Sequence, residues 1–244
     1  MNTNLQTIRD YARPLRLSYT YQNLEEMLER HNDLGSRLEG FLEDLLHIEV
    51  VARSERSRQA RIKNAGVPYK KHLEDLEPER LPKDAKTMLP ALRTLDFVAN
   101  GQNLVAYGNP GTGKTHLAIG LGFEAANQGF SVRFFSVPTL INRLKELKMQ
   151  KNLLSIQKLF ESTDLMILDE FGYISFDREG GELLFTHLSM RSERKSTIIT
   201  TNLGFDKWKT IFGDPVLTTA IVDRITHNSF VLNMAGDSYR HRAN

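Results

Sequence analysis

Apolar positions fall into two textures along the chain. Over the first 72 residues they recur at spacings of three and four. Leu24, Met27 and Leu28 mark one amphipathic helix, and Leu34, Leu38, Phe41, Leu42, Leu45 and Ile48 mark a longer one. That pattern continues through VARSERSRQARIK and is expected to stop at Asn64-Ala65-Gly66, because a glycine followed by a nearby proline, here Pro68, ends helices. No stretch of this part reads as a strand. Between 73 and 90, Pro78, Pro82 and Pro90 stand among charges, which reads as a connector.

From residue 91 short apolar runs alternate with helical periodicity. Strands are expected at 104–107, 132–135, 165–168, 197–200 and 230–232. Helices are expected at 114–127, at 138–161 in two pieces, and at 182–194, 206–212 and 216–227. Strands alternating with helices predict an α/β fold, a parallel sheet covered by helices on both faces. The expected plan is a helical domain at 1–72, a linker at 73–90 and an α/β domain at 91–244.

Composition narrows the classes. Hydrophobic residues make up 40% of the 244 and charged residues 25%, enough for a sizeable core. The absence of cysteine removes disulfides, thiolate metal sites and cysteine nucleophiles. The seven histidines show no metal-ligand spacing. No apolar run is long enough for a membrane span, and the N-terminal residues lack a secretory h-region. A cytoplasmic protein with no membrane partner is expected.

The chemistry begins at residue 108. Gly108, Asn109, Pro110, Gly111, Thr112, Gly113, Lys114 and Thr115 fit the phosphate-loop pattern G-x-x-x-x-G-K-[ST]. Glycines let the backbone wrap closely around phosphates, where its N–H groups and the following helix N-terminus bind anions. Lys114 would reach the β- and γ-phosphates, and Thr115 would hold Mg²⁺. His116, next on the helix, borders this site and reads as structural rather than catalytic. The run Leu165-Met166-Ile167-Leu168-Asp169-Glu170 is an apolar strand ending in two acids. Asp169 suits support of Mg²⁺, and Glu170 suits polarisation of an attacking water, so ATP hydrolysis is expected rather than transfer to a small acceptor. Asn202, at the tip of the fourth strand, is placed to sense the γ-phosphate, with a simple turn before Gly204 as the plainer alternative.

Taken together, GNPGTGKTHLA, LMILDEFG, STIITTN, IVDRI and GDSYRHR, in this order, resemble the AAA+ ATPases of the DnaC/IstB group. That group includes bacterial helicase loaders and the helper ATPases of insertion-sequence transposases. The N-terminal ARSERSRQARIKNAGVPYKKHLED is more similar to the transposition helpers. The resemblance implies a P-loop AAA+ domain preceded by a small all-α domain. It implies that Arg224, in IVDRI, reaches a neighbour's ATP in trans, and that Arg240, in DSYRHR, contacts nucleotide from the C-terminal side. It also implies an ATP-dependent homo-oligomer and a cognate transposase as partner. About forty residues follow Asn202 here, so a reduced C-terminal lid is expected.

Charge suggests what the ATP serves. From 52 to 72 there are seven basic residues (Arg53, Arg56, Arg58, Arg61, Lys63, Lys70 and Lys71) against one acid, Glu55, in a chain whose total is only +2. A basic helix of this kind suits phosphate backbones more than base edges, so double-stranded DNA is expected as a partner with weak sequence preference. Lys145 and Lys148, in the long helical segment after the second strand, form a second candidate DNA surface. The expected function is an ATP-dependent DNA-binding helper of a transposase. A helicase loader that binds single strands is the alternative, and an NTPase acting on a small molecule is a third.

Overall fold

The computed structural model describes residues 3–34, 37–173, 175–212, 214–236 and 238. The chain divides into two compact units, Met1–Ala60 and Arg61–Asn244.

The first unit holds α1 (Thr3–Ala12), α2 (Ser18–Leu34) and most of α3 (Leu38–Ala65). Ala12, Leu24 and Met27 are its buried apolar residues among those described. Glu49 of α3 is buried and accepts the Thr20 amide at 2.7 Å. Its carboxylate thereby satisfies an orphan N–H in the first turn of α2, where the helix dipole favours negative charge. Asn23 interrupts the helical geometry of α2, and its side-chain amide donates to the Tyr19 carbonyl at 3.0 Å. Leu38 and Leu42 of the apolar repeat are exposed, as are Leu46 and Val50. The repeat was therefore a sound helix signal, while Phe41, Leu45 and Ile48 are only partly buried. α3 ends at Ala65, and Gly66 follows at φ +67°, the stop expected from the sequence.

The second unit is built on five strands: β1 (Asn103–Tyr107), β2 (Val132–Ser136), β3 (Leu165–Asp169), β4 (Ser196–Thr201) and β5 (Ser229–Asn233). Their order is β2-β3-β4-β1-β5, and all neighbours run parallel. The helices are α4 (Lys83–Arg93), α5 (Asp96–Ala99), α6 (Lys114–Asn127), α7 (Val137–Met149), α8 (Leu153–Ser162), α9 (Arg178–Arg191), α10 (Lys209–Phe212) and α11 (Pro215–Thr226). Side chains alternate between the two sheet faces, as the strand period of two requires. Leu104, Ala106, Leu165, Ile167 and Ile198 join one core layer, with α4, α5 and α6. Val105, Met166, Leu168 and Ile199 join the other, with α7, α8, α9 and α11.

Residues 73–90, read from the sequence as a connector, contribute Leu73, Leu76, Leu81, Ala85 and Leu89 to the first layer. Two 3₁₀ turns, Leu73–Asp75 and Pro78–Arg80, lead into α4. The prolines drew attention away from a repeat of four at 81, 85 and 89. α9 begins four residues before its expected start, because Asp177 caps it by accepting the Gly180 amide at 3.0 Å.

Candidate functional site

The carboxyl ends of β1, β3 and β4 open onto one cleft, the usual place for ligands in a parallel sheet. Beyond β1 the chain turns through Gly108 (φ +145°), Gly111 (φ +81°) and Gly113 (φ +91°) and enters α6. At Gly108 the turn also demands close approach, since a Cβ there would stand 2.6 Å from the Ala235 nitrogen. Lys114 is 7% exposed and curls back over the loop. Its Nζ donates to the carbonyls of Gly108 at 2.8 Å and Asn109 at 2.6 Å. Thr112 Oγ1 donates to the Asn109 carbonyl at 2.9 Å and braces the same turn.

The two sequence motifs meet directly. Thr115 Oγ1 donates to Asp169 Oδ1 at 2.8 Å. A hydroxyl and a carboxylate are hard oxygen donors, the set that Mg²⁺ prefers. Glu170 follows at φ +60°, a left-handed conformation uncommon outside glycine and a mark of functional turns. Ser136 Oγ, at the end of β2, donates to Glu170 Oε2 at 3.4 Å. Asn202 lies one residue beyond β4 and lines the cleft with Lys114, Thr115, Asp169 and Glu170. The cleft volume is about 750 Å³, and its far side is formed by Tyr69, Lys71, Asp75, Leu76 and Glu77. His116 also borders the cleft, and its Nε2–H donates to the His72 carbonyl at 2.8 Å, which ties α6 to that far side.

Other candidate residues lie elsewhere. Arg224 is exposed on α11, outside the lining of this cleft, with its guanidinium 6.0 Å from the Phe185 ring centre. Arg240 lies outside the described residues. Lys71, read as a DNA contact, borders the nucleotide cleft. Arg53 donates to the Arg16 carbonyl at 3.3 Å, and Arg56 lies 3.8 Å from Glu49. Arg58 pairs with Glu55 at 2.7 Å, and its hydrogen bond, with one from Gln59, lowers the Glu55 carboxyl to about 2. Arg61 donates to the Ala126 carbonyl at 2.9 Å, while Lys63 and Lys70 are exposed. Lys145 pairs with Asp177 at 2.6 Å and Lys148 with Glu179 at 2.8 Å. The hydrogen bond from Lys145 holds the Asp177 carboxyl below its ordinary range, and the one to Glu179 raises the Lys148 ammonium.

Thr200 escaped the sequence reading. It is buried on β4, and its hydroxyl donates to Asp169 Oδ1. The available signal was weak, because β4 reads STIITT and Thr200 is one of several hydroxyl residues in it. No helix among the described residues is long and apolar enough to cross a membrane.

Comparison with known proteins agrees with this geometry. The family described as IstB-like ATP binding protein matches residues 11–244. A protein of insertion sequence IS5376 from Geobacillus stearothermophilus, named for ATP binding, is 33% identical, covering 97% of this chain and 94% of its own. A counterpart from insertion sequence IS21 of Pseudomonas aeruginosa is 36% identical over 93% of this chain and 85% of its own. Among solved structures, the DnaC helicase loader has a TM-score of 0.55 at 24% identity, over 72% of this chain and 99% of that one. AMPPCP-bound DnaA from Aquifex aeolicus has a TM-score of 0.58 at 20% identity, over 70% of this chain and 51% of that one. These two likenesses show the fold alone, a parallel sheet covered by helices. With a family match over nearly its whole length and relatives above 30% identity, the chain belongs to the IstB-like ATP binding protein family.

Proposed function

We propose that the chain is an ATP-hydrolysing, DNA-binding helper of an insertion-sequence transposase. The observation that carries this reading is the gathering of Lys114, Thr115, Asp169, Glu170 and Asn202 around one cleft. Lys114 would neutralise charge on the β- and γ-phosphates once drawn from the loop carbonyls it now bonds. Thr115 and Asp169 would hold Mg²⁺, which would supply positive charge against that developing on the phosphates. Glu170 would take the proton of the attacking water, and Asn202 would contact the γ-phosphate. The exposure of Arg224 away from its own cleft suits a role in a neighbour's, so the ATP state would be the assembled state.

DNA contact is assigned first to the basic run of α3 and the residues after it. Arg53, Arg56, Lys63 and Lys70 are exposed there, where release of counterions from a duplex favours binding. Lys145 and Lys148 already face acidic partners and would add less. The insertion-sequence origin of the relatives supports a transposase as partner.

The test is binding of the full chain to a long duplex at stated salt, with native sizing of the same samples. The nucleotide states are ATP with Mg²⁺, ADP, and ATP with the Glu170→Gln variant. Cooperative duplex binding and large assemblies with ATP, persisting in the variant, are expected. Duplex affinity and size indifferent to nucleotide would defeat the coupling. Binding confined to single strands would favour a loader, the reading that the fold likeness to DnaC brings with it.

A further inference from the structure

At the tip of β4 one threonine touches three consecutive residues at the tip of β3. Thr200 is 2% exposed. Its hydroxyl donates to Asp169 Oδ1. The same oxygen accepts the Glu170 amide at 3.3 Å. Its backbone carbonyl accepts the Phe171 amide at 2.9 Å. A hydroxyl has one proton and two lone pairs. Donation to the carboxylate fixes the rotor, and a lone pair then faces the Glu170 amide.

These bonds fall where the backbone most needs them. Glu170 is at φ +60°, a region that residues with a Cβ rarely visit, and surrounding bonds must hold it there. The turn is closed by the Tyr173 amide, which donates to the Glu170 carbonyl at 3.1 Å. The direction of the Glu170 carboxylate follows from this backbone, because its side-chain partner Ser136 is distant at 3.4 Å. Asp169 Oδ1 meanwhile accepts from Thr115 as well as Thr200, so its carboxylate is aimed from two elements. The phosphate loop is braced separately, through Thr112 and Lys114.

We propose that Thr200 is a positioning residue for ATP hydrolysis. Its hydroxyl orients the Asp169 and Glu170 carboxylates together and ties them to β4, two residues before Asn202. The inference rests on the hydrolysis reading above. Because the loop has its own braces, losing this hydroxyl impairs turnover and leaves nucleotide capture intact.

The test compares Thr200→Val, nearly isosteric without the hydroxyl, with Thr200→Ser, which keeps the hydroxyl and loses the methyl. Steady-state ATP hydrolysis gives kcat and KM for the full chain, and ADP affinity in EDTA reports on the loop alone. Thr200→Val is expected to lower kcat roughly 10- to 100-fold, as sub-ångström misplacement of reacting groups does, with ADP affinity within about two-fold of wild type. Thr200→Ser is expected to recover most of the wild-type kcat. If the Val chain does not fold, judged by thermal unfolding and native sizing, Thr200→Cys takes its place under the same criteria, and lost ADP affinity in a folded chain would count against the proposal. Wild-type turnover in the hydroxyl-free variant, or a Ser variant as slow as it, would overturn the role of Thr200. A wild-type chain that never hydrolyses ATP would instead overturn the hydrolysis reading, and this role with it.

Discussion

Thr115 Oγ1 donates to Asp169 Oδ1 at 2.8 Å, joining the first turn of α6 to the tip of β3 across 54 positions of sequence. The pair brings together the two oxygen donors that the proposed cation would need, and neither alone is a site. Thr115→Val keeps the shape of the residue and removes one donor. Nucleotide affinity in EDTA should hold nearly constant, while the gain on adding Mg²⁺ should shrink roughly 10- to 100-fold, the usual cost of losing such support. Titration of a fluorescent ATP analogue with and without Mg²⁺ reads both. An undiminished Mg²⁺ effect would remove Thr115 from the cation site.

Gly108 is held by geometry on two counts. Its φ of +145° suits glycine, and a Cβ would press on the backbone that follows β5, at 2.6 Å from both the Ala235 nitrogen and the Met234 oxygen. Backbone cannot step aside as a flexible side chain can. Gly108→Ala should therefore cost about 2 kcal/mol or more of stability and weaken ATP binding as the loop shifts. Thermal unfolding with and without ATP checks it, and a variant with wild-type stability and affinity would show that the segment yields.

The site was legible in the sequence because its motifs are local. The residues 108–115 and 165–170 each fit a pattern by themselves, and the fold brings residues of both to one cleft. The order of strands and helices was equally legible, since each strand is a short apolar run between helical repeats. What escaped depends on contacts far apart in sequence. Thr200 lies within STIITTN, yet its contact with Asp169 appears only where β4 lies beside β3. Lys71 looked like part of a basic run until the fold set it on the wall of the cleft. Lys145 and Lys148 looked like an exposed basic face until α9 supplied Asp177 and Glu179. Composition counts charge but not its partners.

Arg191 shows the same limit inside the core. It is 1% exposed, and it donates to the carbonyls of Phe160, Thr163 at 2.8 Å and Ser196 at 2.7 Å. Burial pushes its guanidinium down to about 10, so it remains charged at neutral pH. Its fork pins the end of α8 and the segment before β3 to the start of β4. Arg191→Met fills some of the volume but strands several buried acceptors, which should cost about 3–5 kcal/mol. Denaturant unfolding of the ATP-free chain measures this. A loss below about 1 kcal/mol would mean that water reaches those carbonyls.

His187 makes the stability depend on pH. It is 1% exposed, its ring lies 5.2 Å from Phe160, and Nδ1–H donates to the Leu183 carbonyl at 2.7 Å. Nε2 is buried with no hydrogen-bond partner among the described residues. A protonated ring would have a buried N–H with nothing to receive it, and burial accordingly lowers the folded imidazole below its ordinary 6.5, against the opposing pull of the Leu183 carbonyl. Below that pH the unfolded chain takes up a proton that the folded chain refuses. Stability is thus fully present above about 6.5 and is lost as pH falls toward the folded value, at no more than about 1.4 kcal/mol per pH unit for one site. His187→Leu removes the titration and should flatten that part of the profile. Unfolding free energies of both chains at pH 7.5 and 5.5 isolate the difference, since other groups titrate alike in both. Parallel profiles would place the acid sensitivity elsewhere.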